Sequence, residues 1–170
     1  ASTLVDGIDF EASYSMFIGE GRLGARLMAS HLMHYTELAS QTDTTESELA
    51  GIQSRVKWRG NVEVNYSQGP WRGSVQMRFL GKTRLSETGI WAEPDQAYIK
   101  PYQIYDLNIS RHFGEEEQYE AFLQVKNVFD RTPPVSASVG TGAIGNSLNT
   151  EYSLYDAIGR YYTVGLRFSF

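Results

Sequence analysis

The stretch "YYTVGLRFSF", residues 161–170, alternates without a break. Tyr162, Val164, Leu166, Phe168 and Phe170 form one series, all of it apolar. Tyr161, Thr163, Gly165, Arg167 and Ser169 stand between them, small or polar apart from the tyrosine. Successive side chains of a strand point to opposite faces, so period two means one apolar face and one polar face. Which of the two meets water decides what kind of protein this is.

The same period recurs six times upstream. Residues 7–16 set Ile8, Phe10, Ala12, Tyr14 and Met16 against Asp9, Glu11, Ser13 and Ser15. Residues 22–36 place Leu23, Ala25, Leu27, Ala29 and Met33 together, with Met28 and Leu32 blurring the contrast. Residues 57–66 oppose Trp58, Val62, Val64 and Tyr66 to Arg59, Asn61, Glu63 and Asn65. Residues 71–79 oppose Trp71, Gly73, Val75, Met77 and Phe79 to Arg72, Ser74, Gln76 and Arg78. Residues 104–113 and 119–129 complete the series, with Tyr105, Leu107, Ile109 and Phe113, then Ala121, Leu123 and Val125, on the apolar parity. This pattern predicts an all-β chain of seven strands.

The links alternate in length. Three are short: "FIGEG", "SQGP" and "GEEEQ". The others run for about twenty, twenty and thirty residues, long for a compact soluble domain. Short turns on one side and long loops on the other are what an outer-membrane barrel predicts. Aromatics agree. Tyr66, Trp71, Phe113, Tyr119 and Phe170 lie beside the short turns, and Trp58, Phe79, Tyr105 and Tyr162 at the far strand ends. Aliphatic residues fill the space between, as between two interfacial girdles. His31 and Arg111 are the exceptions on the apolar parity. Seven strands leave two edges, and lipid cannot satisfy open edge groups. The expectation is therefore a transmembrane antiparallel barrel of which this chain is one contiguous part.

Composition excludes other classes. No apolar run approaches the ~18 residues of a membrane helix. The net charge of −5 and scattered basic residues argue against nucleic acid as a partner. There is no cysteine, hence no disulfide framework and no thiolate metal site. Ala1 opens the chain with no signal-peptide pattern and no initiator Met, so a processed or partial chain is expected.

The remaining motifs are weak. "GEGRLG" (Gly19, Gly21, Gly24) and "GTGAIG" (Gly140, Gly142, Gly145) match G-x-G-x-x-G, but neither opens a helix after a strand. His31 and His34, three apart, point to opposite faces of a regular strand. No nucleophile, base and orienter fall together, so no enzyme and no cofactor are expected. Trp91, Tyr98, Tyr102, Tyr152 and Tyr155 in the long loops are candidate ligand contacts; the plainer reading is that they pack the loops together or add to the aromatic girdle.

Two ordered motifs add a resemblance. "VKNVFDRTPP", residues 125–134, precedes "YDAIGRYYTVGLRFSF", residues 155–170. They resemble the end of TonB-dependent outer-membrane receptors. There an Asn-Leu/Val-Phe-Asp run closes the penultimate strand, a proline-bearing loop follows, and Tyr-Asp…Gly-Arg leads into a final strand ending on Phe. The matching residues are Asn127, Val128, Phe129, Asp130, Tyr155, Asp156, Gly159, Arg160 and Phe170. "KWRGNVEVNYSQGPW", residues 57–71, resembles a strand–turn–strand of the same family.

The resemblance implies that residues 1–170 are the last seven strands of a 22-stranded barrel. Its plug and its TonB-contacting segment would lie outside this chain. It implies uptake of a scarce nutrient, a siderophore, cobalamin or saccharide, across the bacterial outer membrane, with a periplasmic C-terminus. It implies that the barrel-assembly machinery reads the final strand, with Tyr162, Val164, Leu166, Phe168 and the terminal Phe170 as signal. A small self-contained barrel with a structural or adhesive role, and a soluble lipocalin-like binding module, are the alternatives.

Overall fold

The computed structural model describes residues 2–38, 46–52, 55–84, 98–134, 136–138, 147–149 and 154–169. Among them the chain is all-β. In order, the strands are Ser2–Ile18 (β1), Gly21–Leu38 (β2), Ser47–Glu48 (β3), Trp58–Gln68 (β4), Trp71–Leu80 (β5) and Thr83–Arg84 (β6). They continue with Tyr98–Ile99 (β7), Tyr102–Phe113 (β8), Tyr119–Lys126 (β9), Ser136–Ser138 (β10), Ser147–Asn149 (β11) and Tyr161–Phe168 (β12). The seven strands expected from the alternation form one antiparallel meander, β1-β2-β4-β5-β8-β9-β12, with β3 added beside β2. The β6–β7 and β10–β11 ribbons belong to the long connections.

Glycine makes the short turns. Ile18 pairs with Gly21 across Gly19 and Glu20, and Gln68 pairs with Trp71 across Gly69 and Pro70. Gly19 has φ 61° and Gly69 φ 52°, the left-handed first position that a two-residue hairpin of type II′ demands. The third turn joins Phe113 to Tyr119 and carries positive φ at Gly114 and Glu117. All three turns lie at one end of the sheet, opposite the long connections.

Register carries the alternation across the whole sheet. One continuous row reads Tyr14, Ala25, Val64, Val75, Leu107, Val125 and Tyr162. The adjacent row on the other face reads Ser15, Gly24, Asn65, Ser74, Asn108, Gln124 and Thr163. Most of the apolar row is open: Tyr14 is 67% exposed, Tyr162 62% and Val75 44%. Within the row Val125 is buried, at 8% exposure. The other buried apolar side chains gather elsewhere. Ala50, Ile52, Val56, Ile99, Tyr102, Ile104 and Tyr155 lie at the long-connection end. The sheet therefore has no second layer over its apolar face among the described residues. β1 and β12 each pair on one side only, and the described sheet is open between them.

Three details depart from the sequence reading. β1 and β2 are longer, reaching Ser2 and Leu38. A bulge shifts their register: Gly7 pairs with Leu32 but Asp6 with His34, leaving Met33 as the extra residue. Gly7 is needed there, because an added Cβ would meet the His31 carbonyl oxygen at 2.7 Å. Because Ile8 faces His31 and Asp6 faces His34, the bulge brings both histidines to the same face rather than to opposite faces. The strand expected to reach residue 129 stops at Lys126, because Asn127 turns left-handed at φ 50°.

The connection after β2 is pinned by Glu48. Its Oε1 accepts the Tyr35 N–H at 3.0 Å and the Ala50 N–H at 2.8 Å. The Tyr35 N–H, above all, holds this carboxyl below its ordinary value of 4.5. A lowered folded pKa stabilises above the ordinary value, and the benefit is lost as pH falls through the lowered one. Amide protection at Ala50, corrected for intrinsic exchange, should drop on acidification below about pH 4.5. Glu48→Gln, which keeps an acceptor oxygen without titrating, should flatten that pH profile.

Candidate functional site

The polar face carries the charged chemistry. Asp106 sits in a row with Ser13, Arg26, Glu63 and Gln76. It is 4% exposed. Its Oδ2 lies 3.2 Å from both Arg78 Nη2 and Lys126 Nζ, and its Oδ1 accepts the Asn127 N–H at 2.9 Å. A buried carboxylate is tolerable only when paired and hydrogen-bonded, and here both oxygens are engaged. Asp106 thus ties β8 to β5 on one side and to the end of β9 on the other.

The motif residues form a second fastening directly above it. The Asn127 side chain accepts the Arg131 N–H at 2.8 Å and donates to the Arg131 carbonyl at 2.9 Å. Tyr102 donates its hydroxyl to that same carbonyl at 3.1 Å. Asp130, at φ 52°, accepts the Arg160 N–H at 2.9 Å, and Arg160 Nη1 reaches the Val128 carbonyl at 3.2 Å. Gly159 supplies φ 80°, and Asp156 accepts the Ile158 N–H at 2.9 Å. Tyr155 is buried edge-on against Tyr102, centroids 5.1 Å apart. Phe129 packs edge-on over Tyr105 at 5.3 Å, on the apolar face. These contacts join the exit of β9 to the entrance of β12, across the length of the last long connection.

Two grooves open on the polar face. The one toward the long connections, ≈ 620 Å³, mixes Asp9, Glu11, Arg59 and Arg78 with Met28, Leu80, Ile104 and Leu154. Its charged groups of both signs over an aliphatic floor suit a small amphipathic ligand. The other, toward the short turns, is ≈ 650 Å³ and more polar, with Asn65, Arg72, Asn108, Glu120 and Gln124 beside Ile109 and Phe122. Arg167 Nη1 lies 2.8 Å from Glu120 Oε2 there.

The loop aromatics scatter. Tyr98 lies under Lys82 Nζ, 3.6 Å from its ring centre. Tyr102 and Tyr155 are in the small buried cluster, with Tyr102 also at the wall of the first groove. Trp91, Tyr152 and Phe170 lie outside the described residues, as do Gly140, Gly142 and Gly145. Tyr162, Val164, Leu166 and Phe168 are all exposed on the apolar face, and Phe168 meets Tyr119 edge-on at 5.8 Å. His31 stacks on Trp58 at 4.1 Å, and His34 Nδ1 lies 3.0 Å from Asp6 Oδ1. No group of three or more His, Cys, Asp and Glu converges as a metal site among the described residues.

Sequence reasoning did not single out Arg78, Asp106 and Lys126. Their shared polar parity on neighbouring strands was the available signal, but pairing them needs the register. No family model and no curated protein matches the chain.

Removing the Asp106 carboxylate strands two cations. Since Arg78 and Lys126 can partly rehydrate, the loss for Asp106→Ala should be about 3 kcal/mol, the low end for a broken buried pair. The Glu11–Arg26 pair is exposed on both sides, so Glu11→Ala should cost under about 1 kcal/mol. Reversible urea unfolding reads both.

Proposed function

We propose that this chain forms part of the wall of a bacterial outer-membrane β-barrel, as the C-terminal strands of a TonB-dependent receptor that imports a scarce nutrient. The observation that carries the reading is the uncovered apolar face, continuous across seven register-matched strands. Soluble monomers rarely expose apolar patches beyond roughly 300–600 Å². Lipid removes that cost. From Trp71 to Phe79, β5 runs about 26 Å, or about 20 Å of height at a ~40° tilt, close to the ~25 Å apolar band of such barrels. Aromatic side chains stand at both ends of that span, and Phe129 over Tyr105 adds to the long-loop side.

The two unpaired edges favour a larger barrel over a self-contained one. In lipid, each unpaired backbone group costs several kcal/mol, so further strands of the same barrel would cover β1 and β12. The polar face then lines the lumen, where a plug would sit, and the mixed-charge groove lies on the ligand's way in from the long loops. The receptor assignment rests on the 125–134 and 155–170 motifs, whose residues support a defined corner between the last two long strands. Energy would come from the TonB complex through a segment outside this chain. The barrel-assembly machinery would read β12.

The natural sequence here has no cysteine, so single cysteines report cleanly. In intact cells making the complete receptor, Lys82→Cys and Ile158→Cys should react with a membrane-impermeant maleimide. Glu116→Cys, in a short turn, should react only after the outer membrane is opened. Equal labelling of all three in intact cells contradicts the topology.

A further inference from the structure

Arg111 is the only Lys or Arg on the apolar parity of the seven long strands below the bulge. It is exposed, and among the described residues it makes no ion pair. Its guanidinium carbon lies 5.2 Å from the centre of the Trp71 ring directly opposite. A guanidinium held at an aromatic face keeps its donors free for a second, anionic group.

Beside this pair an apolar groove of ≈ 410 Å³ runs up the same face, lined by Trp71, Tyr66, Val75, Leu107 and Ile109. Gly73 makes it. Gly73 pairs with Ile109 and Tyr66 and contributes no side chain, so the row above Arg111 is hollow. Packing does not demand that glycine: an added Cβ would meet only the Asn108 carbonyl oxygen, at 3.8 Å. From Trp71 to Val75 the groove extends about 13 Å into the aliphatic band.

We propose that Arg111 and the Gly73 groove form a binding site for one anionic phospholipid of the leaflet at the short-turn end. The phosphodiester sits on the Arg111 guanidinium, and one acyl chain lies in the groove. Charge complementarity selects the occupant. A lone unpaired cation at the border of an apolar face fits a phosphate at the headgroup level, and a methylene chain fits a slot whose surface is almost wholly apolar. Trp71 orients the guanidinium and walls the groove, which links the two halves of the site. This inference rests on the reading of the apolar face as lipid-facing.

The test uses the complete receptor in phosphatidylglycerol–phosphatidylethanolamine nanodiscs, released for native mass spectrometry, with its tryptophans other than Trp71 changed to phenylalanine. Arg111→Gln and Gly73→Leu should each cut retention of one phosphatidylglycerol about tenfold. Gly73→Leu, where the new Cβ has room, keeps the test usable if Arg111→Gln fails to assemble. Bromines on the lipid tails should quench Trp71 in the parent protein. Quenching with unchanged retention in both variants overturns the site and leaves the lipid face standing. No quenching overturns both.

Discussion

Everything in this molecule depends on the hydrogen-bond register that keeps seven strands in parity. Once Tyr14 is opposite Ala25, every second residue of β2 has its side decided, and each ladder passes the choice to the next strand. A one-residue slip anywhere would turn apolar side chains to the polar face and charges to the apolar one. The tight Gly19–Glu20 and Gly69–Pro70 turns hold two of the ladders to a single register at the short-turn end. Only the bulge at Met33 breaks parity, and it does so beyond the Ile8–His31 pair, above the aromatic border marked by Trp58.

At the other end the constraint is different. Long connections do not set register by their own geometry, so side chains do. Asp106 gathers Arg78, Lys126 and the Asn127 N–H; Asn127 then stops β9, and Asp130 with Arg160 hands the chain to β12. These residues are fasteners, and their chemistry is hydrogen bonding and charge neutralisation. The open grooves on the polar face are bounded by this framework, which keeps Arg78 and Tyr102 in place at the wall of the mixed-charge groove.

The strands were legible in the sequence because period two is a local signal, and residues 71–79 show it without interruption. The alternating loop lengths were equally legible. Strand ends were not. Asn127 sits on the same parity as Val125 and Phe129, and nothing in the sequence shows that Asp106, twenty-one positions earlier, captures its N–H. Nor was the bulge visible: His31, Leu32, Met33 and His34 read as a blurred strand, and only the Asp6–His34 pairing shows why the blur is there. Tyr102 and Tyr155 looked like exposed loop aromatics, yet they bury each other, because contact between residues so far apart depends on the corner at Asn127–Arg131.

Whether the apolar face meets lipid can be measured directly along β5. Nitroxides placed one at a time from Gly73 to Arg78 in the reconstituted complete protein report collision with oxygen, which concentrates in lipid, and with a nickel chelate, which stays in water. The account predicts strict alternation, with 73, 75 and 77 oxygen-accessible and 74, 76 and 78 nickel-accessible. Nickel access at 73, 75 and 77, or no alternation at all, would contradict it.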